Sequence, residues 1–264
     1  MKRHWILLAL LFALAPAAQA QDSAQKVVDC MRANVPQRLS IKSLELTAYD
    51  RTGGSRTMKG RMYMGREGSA RPGGLISASL YIDLPVELKG AAYLVKETDD
   101  YLRDGMFVYL PAVKRVRRVT GTFADGALMG TNFSYFDFKQ LQNAFSDVNG
   151  KYEGQGEVNG RPAHTLGFTV LEGTETRYTG GKVWVDQEAC VVVKGEFYEG
   201  TKVVKSFTSP EGSLRKAGST WYLSEVEMKE PGAGTRTIAR VSKLDTKTEL
   251  PKRYFDPNAF HLSQ

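Results

Sequence analysis

The sequence predicts a mainly β protein, an antiparallel sandwich or barrel. Three observations predict it. Apolar and polar residues alternate with a period of two in segment after segment between residues 44 and 244. Turn residues part these segments at regular intervals. No helix-length segments alternate with the strands, so the rhythm of a parallel βαβ sheet is missing.

The first 20 residues stand outside this pattern. Lys2, Arg3 and His4 form a positive start, Ile6 to Leu14 an apolar run, and Ala18-Gln19-Ala20 a small-x-small cleavage pattern. Together they read as a secretory signal peptide cut before Gln21. The expected compartment is a bacterial periplasm, and residues 21–264 are expected to form one domain. A short helix is predicted next, from Ala24 to Asn34, with Asp22 or Ser23 as N-cap and Pro36 stopping it.

Strands follow. Leu44 and Leu46 alternate with Glu45 and Thr47, and Arg51 to Ser55 make a turn. Met58, Met62 and Met64 share a face opposite Lys59, Arg61 and Tyr63. Ile76, Leu80 and Ile82 alternate with Ser77, Ser79 and Tyr81, and Ala91–Lys96 and Met106–Leu110 continue the series. In the second half Tyr152–Val158 meets Ala163–Leu171 through Asn159-Gly160, a hairpin signal. Strands are expected at Lys182–Asp186, Cys190–Tyr198, Val203–Thr208, Thr220–Lys229 and Thr235–Leu244, eleven or twelve in all. Helix is further expected within 84–90, around Tyr135–Ala144 and near the C-terminus.

Composition excludes several functions. The full chain carries a formal charge of +7, and removal of Lys2 and Arg3 leaves about +5. That mild excess fits an anionic lipid surface or an acidic partner and falls short of a nucleic-acid binder. The mature chain holds only His164 and His261, far apart, with no metal-ligand spacing, nucleophile elbow or phosphate loop. No catalytic residue, metal or cofactor is expected, and the chain is not expected to be an enzyme. An integral outer-membrane barrel does not fit strands whose outward positions are so often Lys, Glu or Arg. Cys30 and Cys190 form either a disulfide, natural in an oxidising compartment, or two separate buried thiols. A bridge would be worth up to ~5 kcal/mol in the chain-entropy model.

A long curved sheet with one apolar face needs a cover. The few predicted helices are too short to fill it, which leaves room for an apolar ligand. The expected lining is Leu44, Leu46, Met58, Met62, Met64, Ile76, Leu80, Ile82, Leu94, Leu166, Phe168, Val183 and Val185. The same positions could equally be ordinary packing. Trp184 and Trp221 read as packing anchors.

One stretch is more specific. Tyr109-Leu110-Pro111-Ala112-Val113-Lys114-Arg115-Val116-Arg117-Arg118 is followed by Met129-Gly130-Thr131-Asn132-Phe133-Ser134-Tyr135. This pair of runs resembles the outer-membrane lipoprotein-sorting protein family, a LolA-like branch of the lipoprotein-carrier superfamily. Looser similarity extends to Val183–Asp186 and Leu250–Phe255. Family members usually have an acidic residue directly after that tyrosine, where this chain has Phe136 and then Asp137. The resemblance implies a half-open antiparallel β-barrel of about eleven strands around helical plugs, with a cavity that shields lipid tails. It implies a periplasmic carrier that moves lipid or lipoprotein acyl chains towards the outer membrane, with an inner-membrane permease of the RND type as a partner. A lipid-sensing regulator of the same fold is the alternative.

On that reading Lys114, Arg115, Arg117 and Arg118 leave the sheet after Pro111 and lie at the cavity rim or in solvent. There they meet anionic headgroups or an acidic dock, or else pair with Asp125 and Asp137 and merely hold the loop. Phe133, Tyr135, Phe136 and Phe138 are expected to form a movable lid or plug.

Overall fold

The computed structural model describes residues 15–68, 73–142, 148–174, 176–247 and 249–262. Most of the expected signal segment therefore lies outside the described residues. Helix α1 runs from Ala15 to Asn34, so it begins before the expected Ala24 and continues through the expected cleavage point. Among the described residues no helix is long and apolar enough to cross a membrane.

The fold is mainly β. Its strands are β1 (Arg38–Tyr49), β2 (Ser55–Glu67), β3 (Leu75–Leu84), β4 (Ala92–Lys96), β5 (Gly105–Leu110), β6 (Arg115–Arg118), β7 (Val148–Val158), β8 (Arg161–Val170), β9 (Gly180–Asp186), β10 (Val192–Glu199), β11 (Lys202–Thr208), β12 (Leu214–Ala217), β13 (Thr220–Leu223), β14 (Glu225–Glu230) and β15 (Thr235–Asp245). Thirteen of them form one antiparallel sheet in the order β6-β5-β4-β3-β2-β1-β15-β14-β11-β10-β9-β8-β7. Its edges, β6 and β7, do not pair, so the sheet is an open barrel. β12 and β13 form a separate hairpin.

β12 is a strand where none is expected, and two further departures bear on the site. The cationic run does not leave the sheet. Pro111–Lys114 turn, helped by a left-handed Lys114 (φ 54°), and Arg115–Arg118 return as β6 against β5. The single strand expected over Thr220–Lys229 breaks at Ser224. Its amide and hydroxyl both bond the Ser213 carbonyl, at 2.8 Å each, and the chain passes from the small hairpin into the large sheet.

The sheet curls because its middle strands are long and irregular. The pairing of β1 with both neighbours slips between Ile41 and Leu44, and such bulges bend a strand and raise its twist. The concave side buries the main core, to which α1 contributes Ala24, Val27 and Met31. Helix α2 (Tyr135–Gln142) packs into the same core. The convex side of β3–β5 is sealed separately by the C-terminal tail. Tyr254 stacks on Tyr63 with ring centres 4.4 Å apart. Phe260 is fully buried, and its carbonyl accepts the Tyr81 hydroxyl at 3.1 Å.

Candidate functional site

The concave side holds two adjoining hollows. The outer one, about 260 Å³, opens between α1 and the β12–β13 hairpin and is walled by Met31, Leu39, Ile41, Met62, Met64, Phe207, Trp221, Leu223, Val226, Val241 and Leu244. The inner one, about 140 Å³, is walled by Leu44, Leu46, Leu80, Leu128, Phe133, Phe138 and Ala239. Ile41, Met62, Leu141, Val226 and Val241 line both, so the two form one apolar seam. Period-two alternation of β1, β2 and β15 puts these side chains on one face.

The mouth is fixed by α1. Cys30 is bonded to Cys190 in the β9–β10 turn, with Cα atoms 5.6 Å apart. Asp186 builds that turn. Its carboxylate accepts the Glu188 and Ala189 amides, at 3.1 and 2.8 Å, and the Arg161 guanidinium. Burial works against the Asp186 charge, but Arg161 and these amides hold its pKa below the ordinary aspartate value. Arg32, also on α1, makes a buried two-pronged pair with Glu97, 3.0 Å at each prong. One residue pair further along, Asn34 grips the hairpin. Its side-chain amide donates to the Trp221 carbonyl and its oxygen accepts the Trp221 amide, both at 2.9 Å.

The inner end is closed by residues 128–142. Met129 (φ 51°) and Gly130 (φ 78°) are both left-handed. A Cβ on Gly130 would sit 2.0 Å from the Arg56 guanidinium, which donates to the Met129 and Gly130 carbonyls. The left-handed φ of 78° favours glycine at this position, and a side chain there would also have to displace the Arg56 guanidinium. Asn132 ties the turn to β15 through Thr235 and Thr237, at 2.7 to 2.9 Å. Ser134 and Asp137 then cap α2 reciprocally: the Ser134 amide donates to the Asp137 carboxylate at 2.8 Å, and the Asp137 amide to the Ser134 hydroxyl at 3.0 Å. The same carboxylate takes the buried Lys205 ammonium of β11 at 2.6 Å. Burial opposes the Lys205 charge, yet Asp137 and Tyr178 hold its pKa above the ordinary lysine value. The Tyr93 hydroxyl donates to the Tyr135 carbonyl at 2.9 Å.

Of the lining predicted from sequence, Leu44, Leu46, Met62, Met64 and Leu80 stand at the hollows. Met58, Ile76, Ile82, Leu166, Val183 and Val185 belong to the same core away from these hollows; Phe168 belongs to it too and lines a separate hollow beside β7–β9. Leu94 is a correction. On β4 its neighbours Tyr93 and Val95 face the main core, so Leu94 faces the convex side and packs with Tyr81, Ala92 and Phe260. Phe133, Tyr135, Phe136 and Phe138 are all buried in the core as a plug. Sequence reasoning missed Ile41, Leu141, Val226 and Val241, which join the hollows. It also missed Trp221 as a mouth residue. The alternation of β15 pointed to Val241, but nothing local marked Leu141.

The four cations of β6 and its turn do not reach the hollows. Arg115 and Arg117 pair with Leu110 and Val108, and Arg118 with Phe107 on the opposite face. Arg118 lies over the Phe107 ring, 6.0 Å from its centre. Among the described residues none of the four is ion-paired. Asp125 instead accepts Thr176 and Arg177, and Asp137 is taken by Lys205. The mouth uses the start of β1 and the ends of β2 and β15, while the β1–β2, β3–β4 and β5–β6 turns lie at the other end of these strands. Lys114, Arg115 and Arg117 therefore stand in solvent, away from the rim, while Arg118, at the far end of β6, donates to the Arg103 carbonyl at 3.4 Å.

Among the described residues no three His, Cys, Asp or Glu side chains are grouped to hold a metal ion. His164 bonds the Tyr152 hydroxyl through Nδ1 at 3.2 Å, and burial lowers its pKa.

A family model described as that of an uncharacterized protein matches residues 77–261. No curated protein matches. Solved structures do. A DUF1329 family protein from Desulfovibrio piger superposes with a TM-score of 0.80 at 22% identity, covering 90% of this chain and 97% of that one. An outer membrane lipoprotein-sorting protein domain from Vibrio parahaemolyticus gives 0.78 at 21% identity, over 91% and 99% of the two chains. A LolA superfamily protein from Nitrosomonas europaea gives 0.67 at 15% identity, over 88% and 97%.

Proposed function

Since the chain belongs to the family whose model spans residues 77–261, and has the LolA-like fold of the lipoprotein-sorting proteins, we propose that it is a periplasmic carrier of lipid or lipoprotein acyl chains. It takes the tail into the apolar seam, binds it stoichiometrically without turnover, and moves it towards the outer membrane. An RND-type permease hands over or receives the cargo.

The observation that carries this reading is the seam itself. An acyl chain in water costs about 0.8 kcal/mol per methylene, on the order of 12 kcal/mol for a sixteen-carbon tail. Apolar walls recover about 25 cal/mol per Å² removed from water. An apolar cavity of about 150 Å³ already holds a benzene, so the outer hollow of about 260 Å³ accepts the end of a chain. A whole tail needs more room. Phe133, Phe138 and Leu141 stand where it would continue, so loading moves the plug and unloading returns it.

Native mass spectrometry of the protein purified from its own periplasm tests this. Extra hydrophobic mass, retained one to one and released by solvent, is expected. Protein that returns with no added mass, and that hydrolyses added lipid instead of retaining it, overturns the reading.

A further inference from the structure

The β5–β6 cations are not part of the seam, and the end of the sheet that carries them has its own character. The β3–β4 and β5–β6 turns are neighbours there, because β4 pairs with both β3 and β5. Three of the large exposed apolar side chains stand on these two turns or at their edge: Val86 (77% exposed), Leu84 (46%) and Val113 (41%). Residues 85–91 and 111–118 hold five cations, Lys89 and the four of β6 and its turn, against one carboxylate, Glu87.

We propose that this end docks the protein, tip first, on an anionic phospholipid surface. The placement of the charges selects a membrane over an acidic protein face. Arg115 and Arg117 lie on one face of the hairpin and Arg118 on the other. A partner lying along one face reaches only some of them. A plane met end-on reaches Lys89, Lys114 and Arg115 at the tip and Arg117 just behind them, while Arg118, which donates to the Arg103 carbonyl, stands further back; the plane also receives aliphatic tips that a charged protein surface would leave in water. Each cation close to such a surface adds about fivefold to binding, and short aliphatic side chains enter the headgroup layer. The mouth between α1 and the β12–β13 hairpin then points away from the bound membrane, free to meet a second surface or a partner. This docking is independent of what the seam binds, and the two readings fail separately.

Vesicle flotation with the mature chain tests it. Vesicles of phosphatidylcholine alone are compared with vesicles containing about one third phosphatidylglycerol, at low and high salt. Binding is expected only to the anionic vesicles, falling with salt. Changing Lys114, Arg115, Arg117 and Arg118 together to Ser is expected to weaken it on the order of a hundredfold or more, with the thermal melt as the check on folding. Val86→Trp, on the neighbouring turn, gives a second readout: brominated lipids quench the new tryptophan while the signal of the native ones is unchanged. No binding to anionic vesicles at low salt, undiminished binding by the folded quadruple variant, or an unquenched Val86→Trp overturns the proposal. So does capture by an acidic protein without vesicle binding.

Discussion

Helices α1 and α2 both pack into the main core, and they are held there by different means. α1 is tied covalently to the β9–β10 turn, paired through Arg32 to Glu97 and hooked through Asn34 to Trp221. α2 has no covalent tie. It is held by Asp137 on Lys205, by the Tyr93 hydroxyl on the Tyr135 carbonyl and, through the preceding turn, by Asn132 on β15. A second buried ion pair, Lys139 with Asp104 at 3.5 Å, holds its outer side, and the aromatic side chains of residues 133–138 make apolar contacts that a lipid tail could replace. On the proposed carrier reading this difference suits a gatepost that stays and a plug that moves. Directional polar contacts inside an apolar core set where the plug sits when the seam is empty, and removing one partner is costly while removing both is not.

The sharpest way to break the comparison is Lys205→Met, which leaves the Asp137 carboxylate buried without its cation. We expect a loss of ~3–5 kcal/mol in urea unfolding. The double change Asp137→Asn with Lys205→Met, which keeps an acceptor for the Ser134 amide, is expected to regain most of it. Failure to regain would mean that the pair does more than hold the plug.

Replacing Cys30 and Cys190 by Ser removes the tie on α1, at an expected 2–5 kcal/mol in the same measurement. Hydrogen exchange sharpens the contrast. With a lipid bound, amides of residues 135–142 are expected to lose protection in the native protein while those of residues 24–34 keep theirs; in the double Ser variant both are expected to loosen.

Asn34→Ala should cost less, ~1–3 kcal/mol for two lost hydrogen bonds that each contribute ~0.5–1.5. Its mark is freer exchange at Trp221 and faster entry of a fluorescent fatty acid.

The smallest effect is with pH. Asp186 has a folded pKa below its unfolded one, so its contribution is present above the unfolded value near 3.8 and is lost as the pH falls through the folded value. Melting curves below about pH 4 should show the native protein losing stability more steeply than Asp186→Asn.

Much of this molecule was legible in its sequence. Alternation along β1, β2 and β3 put Leu44, Leu46, Met62 and Leu80 on one face, and that face is the apolar one. Asn159-Gly160 is a two-residue hairpin turn between β7 and β8. The Met-Gly run marks the start of the 128–142 segment, and Gly130 suits it because the chain turns there with a left-handed φ of 78°. What was not legible depends on contacts distant in sequence. Asp137 meets a lysine 68 positions away and Asn34 a backbone 187 away. Leu94 went to the wrong side because β4 is apolar on both faces, and only the C-terminal tail, packed on the convex side, shows which is which. The cations are expected at the rim or in solvent, two places that look alike in one dimension. Strand direction separates them.

Val226 lines both hollows, so Val226→Trp is a direct plug for the seam. The measurement is a titration of native and Val226→Trp protein with a fluorescent sixteen-carbon fatty acid, each checked by its melt. The account predicts one-to-one binding by the native protein and at least a tenfold loss in a folded Val226→Trp. Equal binding by both would place the ligand elsewhere and contradict it.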